Sequence, residues 1–123
     1  MKTLIFQSHP PVQPETWVTQ CMASVWDWAD AHQYDYQLLD DKLFQFISTD
    51  LQEKFARQLV ILTDLGRVQW ARHFLEQGYD EVLWLDSDFL IFNPEQFRLP
   101  RDIHEGLGYA LGREVWVQTT VDG

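Results

Sequence analysis

The chain has 123 residues, one domain at most, and its 9 Lys and Arg against 19 Asp and Glu leave a formal net charge of −10. That sign repels phosphate backbones and anionic lipid, which argues against a nucleic-acid binder and against docking on membranes through a basic patch. Apolar residues at 46 % and aromatics at 15 %, six of them Trp, exclude a disordered tail and require a packed core.

Thr3 to Gln7 reads as a short buried strand: three consecutive large apolar residues, then turn chemistry at His9-Pro10-Pro11. Pro14 and Glu15 suit the first turn of a helix. Val18, Cys21/Met22, Val25 and Trp28/Ala29 then recur at three- and four-residue spacing, one apolar face running to about Ala31. Trp17 and Trp26 lie off that stripe, towards a second surface. Tyr34 to Leu39 is the next strand, closed by Asp40-Asp41. Strand, helix, strand within this length is a βαβ unit, and predicts a parallel sheet with a right-handed crossover.

A helical turn is expected around Leu43 to Ile47. Asp50 and Glu53 have capping-box spacing and open a helix through about Gln58. Ile61, Leu65, Val68, Ala71/Arg72 and Leu75 continue a helical stripe, with a break near Thr63, and Gly78 ends it as a glycine just past a helix does. Glu81 to Leu85 is apolar on both faces, as in a central strand covered on both sides. Asn93-Pro94 breaks the chain, Gln96 to Gly108 reads as loop, and Tyr109 to Gln118 as a further strand. The expected fold class is α/β, an open, mainly parallel sheet flanked by helices. The chain ends directly after that last strand, so an incomplete domain is expected.

Cys21 is the only cysteine and is expected to be a small buried apolar residue, with no disulfide or thiolate zinc site possible within the chain. His9, His32, His73 and His104 form no pair at helical spacing, which argues against a His-based metal site. No apolar run approaches the about 20 residues of a membrane span or the about 7–15 of an export signal. A cytoplasmic setting is expected.

The chemistry-bearing segment is Leu83-Trp84-Leu85-Asp86-Ser87-Asp88. An Asp-x-Asp triplet alone is weak evidence, but this one follows an apolar strand at its carboxyl end, where open α/β sheets bind ligands. Residues i and i+2 of an extended chain point the same way, so Asp86 and Asp88 are expected to converge on one point. Two such carboxylates suit a hard divalent cation, Mn²⁺ or Mg²⁺, which would also let an acidic protein hold an anionic diphosphate. The plainer reading is a pair of solvated turn carboxylates. In Thr63-Asp64-Leu65-Gly66-Arg67, Asp64 and Arg67 share a helix face, with Thr63 as the expected N-cap. They are either a local ion pair or a pair that grips a ligand, Arg67 offering a planar fork to phosphate or to Asp86 and Asp64 accepting sugar hydroxyls. Gln7 and Ser8 end the first strand at the same sheet edge, facing a base or ribose, or serving only as turn polarity.

Taken together, Leu4-Ile5-Phe6-Gln7-Ser8-His9-Pro10, Thr63-Asp64-Leu65-Gly66-Arg67 and Gly78-Tyr79-Asp80-Glu81-Val82-Leu83-Trp84-Leu85-Asp86-Ser87-Asp88 resemble the nucleotide-diphospho-sugar glycosyltransferases of the GT-A fold. The resemblance implies a Rossmann-like sheet of which residues 1–123 are the donor-binding half. It implies metal-dependent transfer of a sugar from a nucleotide-diphosphate sugar to an acceptor hydroxyl. Asp88 would bind the metal, Asp86 would contact the metal or the ribose, and Ser87, Asp64, Arg67, Gln7 and Ser8 would contact the donor. No catalytic base is legible. The alternative is a truncated or inactive nucleotide-sugar-binding domain. An Asp-x-Asp phosphatase or phosphotransferase of the haloacid dehalogenase type is disfavoured by Leu90 where that class carries Thr, and a calcium loop by Leu90 and Ile91.

Overall fold

Alternate residues of a strand face opposite ways, so the consecutive Leu4, Ile5 and Phe6 need cover on both sides. They receive it in the computed structural model, which describes residues 1–10 and 14–99. The elements in order are β1 (Thr3–Ser8), α1 (Thr16–Ala31), β2 (Asp35–Leu39), a 3-10 turn (Asp41–Phe44), α2 (Thr49–Lys54), α3 (Leu59–Glu76) and β3 (Glu81–Trp84). The three strands form a parallel sheet in the order β2-β1-β3. The expected strand at Tyr109–Gln118 lies outside the described residues.

The two faces of β1 seed two cores. Ile5 packs with Val25, Trp28 and Ala29 of α1 and with Leu85, Ile91 and Leu99. Leu4 and Phe6 pack with Leu39, Leu43, and Trp70 and Phe74 of α3. Phe6 meets Phe74 and Trp84 edge-on, at ring-centroid distances of 5.3 and 5.1 Å, the geometry that aromatic quadrupoles favour. Helices thus cover both sides of the sheet, a doubly wound arrangement consistent with part of a Rossmann-like fold. No helix among the described residues is long and apolar enough to cross a membrane.

Helix α1 follows its sequence pattern. Val18, Cys21, Val25, Trp28 and Ala29 are its buried residues, and Trp17 and Trp26 are half exposed. It starts at Thr16, after Glu15 in the N-cap position. The strand expected to be central is different: β1 lies in the middle, while β3 is the outer neighbour among the described strands and only half buried. Its alternate residues pack on the two helical layers, Leu83 in the α1-side core and Val82 and Trp84 in the α3-side core.

Two helix boundaries also differ from expectation. The cap of α2 is Ser48, whose hydroxyl accepts from the Leu51 amide at 3.3 Å. Asp50 instead sits in the first turn, where a carboxylate complements the helix dipole, and the helix stops at Lys54 rather than Gln58. Helix α3 runs unbroken through Thr63, so Thr63 is an interior residue and not a cap. It ends as predicted. Gly78 takes a φ of 109°, its amide bonds Leu75 O, and the Tyr79 amide reaches back to Phe74 O, the paired bonds of a Schellman turn.

The face α3 turns inward carries Leu62, Gly66, Trp70 and Phe74. The stripe through Ile61, Val68 and Leu75 points out instead, and all three are exposed. Gly66 decides the matter. A Cβ there would lie 2.7 Å from the Leu43 carbonyl oxygen, so the helix seats on the 3-10 turn only through glycine. Trp70 Nε1 fixes the same turn, donating to the Lys42 and Leu43 carbonyls at 3.0 and 3.2 Å. Gly66→Ala gains about 1 kcal/mol of helix propensity but must push backbone away, at about 1–3 kcal/mol. The expected outcome in urea denaturation is a lower midpoint; a raised midpoint would show that α3 lifts off the turn without cost.

Candidate functional site

In a 2-1-3 sheet the chain leaves β1 towards β2 and later returns to the other side of β1. The carboxyl ends of β1 and β3 therefore diverge at a topological switch point. The hydrogen bonds trace the divergence. After β1, the His9 amide donates to Leu39 O of β2 at 3.2 Å. After β3, the Leu85 amide still pairs with Phe6 O. The chain then crosses to the α1 layer, where the Ile91 amide donates to Ser24 Oγ at 3.0 Å. Ser8 ends one strand and Asp86-Ser87-Asp88 follow the other, so the structure brings these four residues to the same edge of the sheet.

The local geometry of the acidic triplet is a turn, not an extended strand. The Phe89 amide donates to Asp86 O at 3.0 Å and closes it, so the strand rule that would aim both carboxylates alike does not operate there. Asp86 Oδ1 accepts from Trp84 Nε1 at 2.8 Å. Asp86 and Asp88 are both exposed. The chain turns here because Ser87 and Asp88 are good turn residues and because Leu85 and Ile91 on either side are drawn into the α1-side core.

Gln7 has a different place from the one expected. It is fully buried, its Nε2 donates to Asp86 O at 3.0 Å, and its Oε1 accepts from Tyr36 OH at 2.7 Å. Both ends of the amide are used inside the fold, so Gln7 holds the acidic turn from beneath rather than facing a base or ribose. Burial pushes the Tyr36 hydroxyl up to about 12. The neighbouring surface hydroxyl, Tyr79, donates to Asp35 Oδ2 at 2.7 Å, and that bond is the first cause of its raised pKa, ahead of burial. The supporting pair Gln7–Tyr36 was invisible as such in the sequence, since the Asp86 carbonyl is 79 positions away.

Asp64 and Arg67 make the ion pair that their spacing allows, 3.2 Å between Oδ1 and Nη2, with both side chains more than a third exposed. A surface pair of this kind contributes under about 1 kcal/mol. Among the described residues no group of three or more His, Cys, Asp or Glu converges to hold a metal, so Asp64 does not complete a cage with Asp86 and Asp88. Two shallow depressions lie elsewhere, one of about 220 Å³ lined by Phe46, Gln69, Arg72, His73 and Glu76, the other of about 210 Å³ along Phe89–Phe97.

The class these features define is an α/β domain, a small parallel sheet flanked by helices, with an acidic turn beyond the carboxyl end of β3. No family model, curated protein or solved structure matches the chain.

Proposed function

We propose that the chain is the donor-binding portion of a metal-dependent glycosyltransferase of the GT-A fold, which holds a nucleotide-diphosphate sugar at the switch point between β1 and β3. The observation that carries this reading is the position of Asp86 and Asp88, solvent-open and directly beyond the carboxyl end of β3. Two carboxylates, with no third ligand converging on them among the described residues, would suit Mn²⁺ or Mg²⁺, which can be held by one or two carboxylates together with substrate phosphates. Such an ion, when bound, neutralises the diphosphate as it leaves. Asp88 would hold it and Asp86, anchored by Trp84, would orient the turn or contact the ribose.

Arg67 belongs to the same proposal by its height. Helix α3 runs antiparallel to β3 across the Gly78 turn. Climbing α3 from Glu76 to Arg67 rises about 14 Å at 1.5 Å per residue, and climbing from Glu81 to Asp86 about 16 Å. Arg67 also lies two helical turns above Phe74, which packs on Phe6 and Tyr79. That shared height supports Arg67, paired with Asp64, as the residue that would offer a fork to phosphate. Ser8 and Ser87 offer hydroxyls at the rim.

The test is a thermal-shift screen of UDP-, GDP- and dTDP-sugars with and without Mn²⁺. One nucleotide should raise the melting temperature only when Mn²⁺ is present. No shift with any of them, at millimolar nucleotide, would remove the proposal.

A further inference from the structure

One side chain links the acidic turn to the far strand of the sheet. Gln7 lies on the central strand β1, fully buried, with Asp86 beyond β3 on one flank and Tyr36 of β2 on the other. Tyr36 is level with Ile5, two residues before Gln7, and residues two apart share a face of a strand. The Tyr36 hydroxyl, the Gln7 amide and the Asp86 carbonyl therefore form a row of hydrogen bonds across the sheet, at 2.7 and 3.0 Å. The row ends on the oxygen that also accepts the Phe89 amide and closes the turn.

The row has a direction. A carbonyl oxygen only accepts, so Gln7 must present Nε2 to Asp86 and Oε1 to β2. Turned over, the amide would set one oxygen against another. Oε1 then needs a donor inside a fully buried residue, and the Tyr36 hydroxyl is that donor. Burial pushes the hydroxyl up to about 12, so it carries its proton across the neutral range. We propose that Tyr36 is a positioning residue of the metal site: by donating to Gln7 Oε1 it fixes the amide that holds the Asp86 carbonyl, and so sets where Asp86 and Asp88 stand. The proposal rests on the donor-site reading and adds to it a residue that acts on the turn through Gln7. Tyr36→Phe keeps the ring that packs on the α1-side core but leaves Oε1 unpaired. The amide then turns away to find a donor, and the acidic turn loses its support.

The test uses Mn²⁺ alone as the probe, titrated by electron paramagnetic resonance at a temperature where circular dichroism shows every variant folded. Tyr36→Phe should bind Mn²⁺ about tenfold more weakly than the parent, the low end of what losing an outer partner of a metal ligand costs. Phe74→Leu, in the α3-side core, also loses stability but should bind Mn²⁺ as the parent does, because it leaves the row intact. In the Gln7→Leu background Tyr36→Phe should lower Mn²⁺ affinity no further, even as it recovers stability. A Tyr36→Phe protein that binds as tightly as the parent, while Asp88→Asn does not, overturns the proposal and leaves the metal site standing. So does a further loss in the double variant, or a matching loss in Phe74→Leu. Equal Mn²⁺ binding by the parent and Asp88→Asn overturns the site itself, and the positioning role with it.

Discussion

Replacing Asp88 with Asn is expected to weaken Mn²⁺-dependent binding of a nucleoside diphosphate by about ten- to a hundredfold, with the melting temperature of the unliganded protein nearly unchanged. The size follows from metal chemistry. Mutating even the outer partners of metal ligands costs about 10–100-fold, and a direct carboxylate ligand contributes no less. The stability estimate follows from position, because Asp88 is exposed in a turn and surface substitutions stay within about 0.5 kcal/mol. Asp86→Asn makes a useful contrast. An Asn side-chain oxygen can still accept the Trp84 indole proton, so the turn keeps its anchor and only the charge is lost. If Asp86 orients the turn, its Asn variant should bind more tightly than the Asp88 variant; if it ligates the ion, the two losses should match. Isothermal titration with and without Mn²⁺ reads both. Equal affinity of the parent and Asp88→Asn would return the triplet to a pair of solvated turn residues.

What could be read from the chain before folding, and what could not, divides along physical lines. The β1–α1–β2 unit was legible because its signals are local: Leu4-Ile5-Phe6 need cover on both faces, and α1 has one apolar stripe. Helix α3 has two candidate faces, and hydrophobic periodicity favours the wrong one. Ile61, Val68 and Leu75 score as core, whereas Gly66 registers as nothing, although the missing side chain is what lets the helix reach the Leu43 carbonyl. Thr63 reads as a break because threonine caps helices, yet Gln58 already occupies the N-cap position. The acidic triplet was correctly placed at the end of a strand, but its internal geometry was not readable. Extended-chain alternation stops where the Phe89 amide turns back to Asp86 O.

Gln7→Leu is expected to destabilise the fold by about 1–3 kcal/mol. Leucine fills much of the volume but accepts and donates nothing. The Tyr36 hydroxyl loses its acceptor, at about 1–3 kcal/mol for the orphaned group, whereas the Asp86 carbonyl loses the Gln7 donor but keeps the Phe89 amide. Tyr36→Phe in the Gln7→Leu background removes that orphan and should recover part of the loss. A double-mutant cycle in urea would report that coupling directly. The same hydroxyl sets an alkaline limit. In the unfolded chain a tyrosine ionises near 10, while in the fold burial holds Tyr36 protonated to about 12. Between those values the native state binds more protons than the unfolded state, so stability falls as pH rises. It is fully present below about 10 and lost through about 12, and Tyr36→Phe should flatten that limb. Because Gln7 also holds Asp86 O, Gln7→Leu should weaken Mn²⁺-dependent nucleotide binding even at temperatures where the variant is fully folded. A variant that loses stability but binds as the parent does would separate the glutamine's support of the sheet from any support of the site.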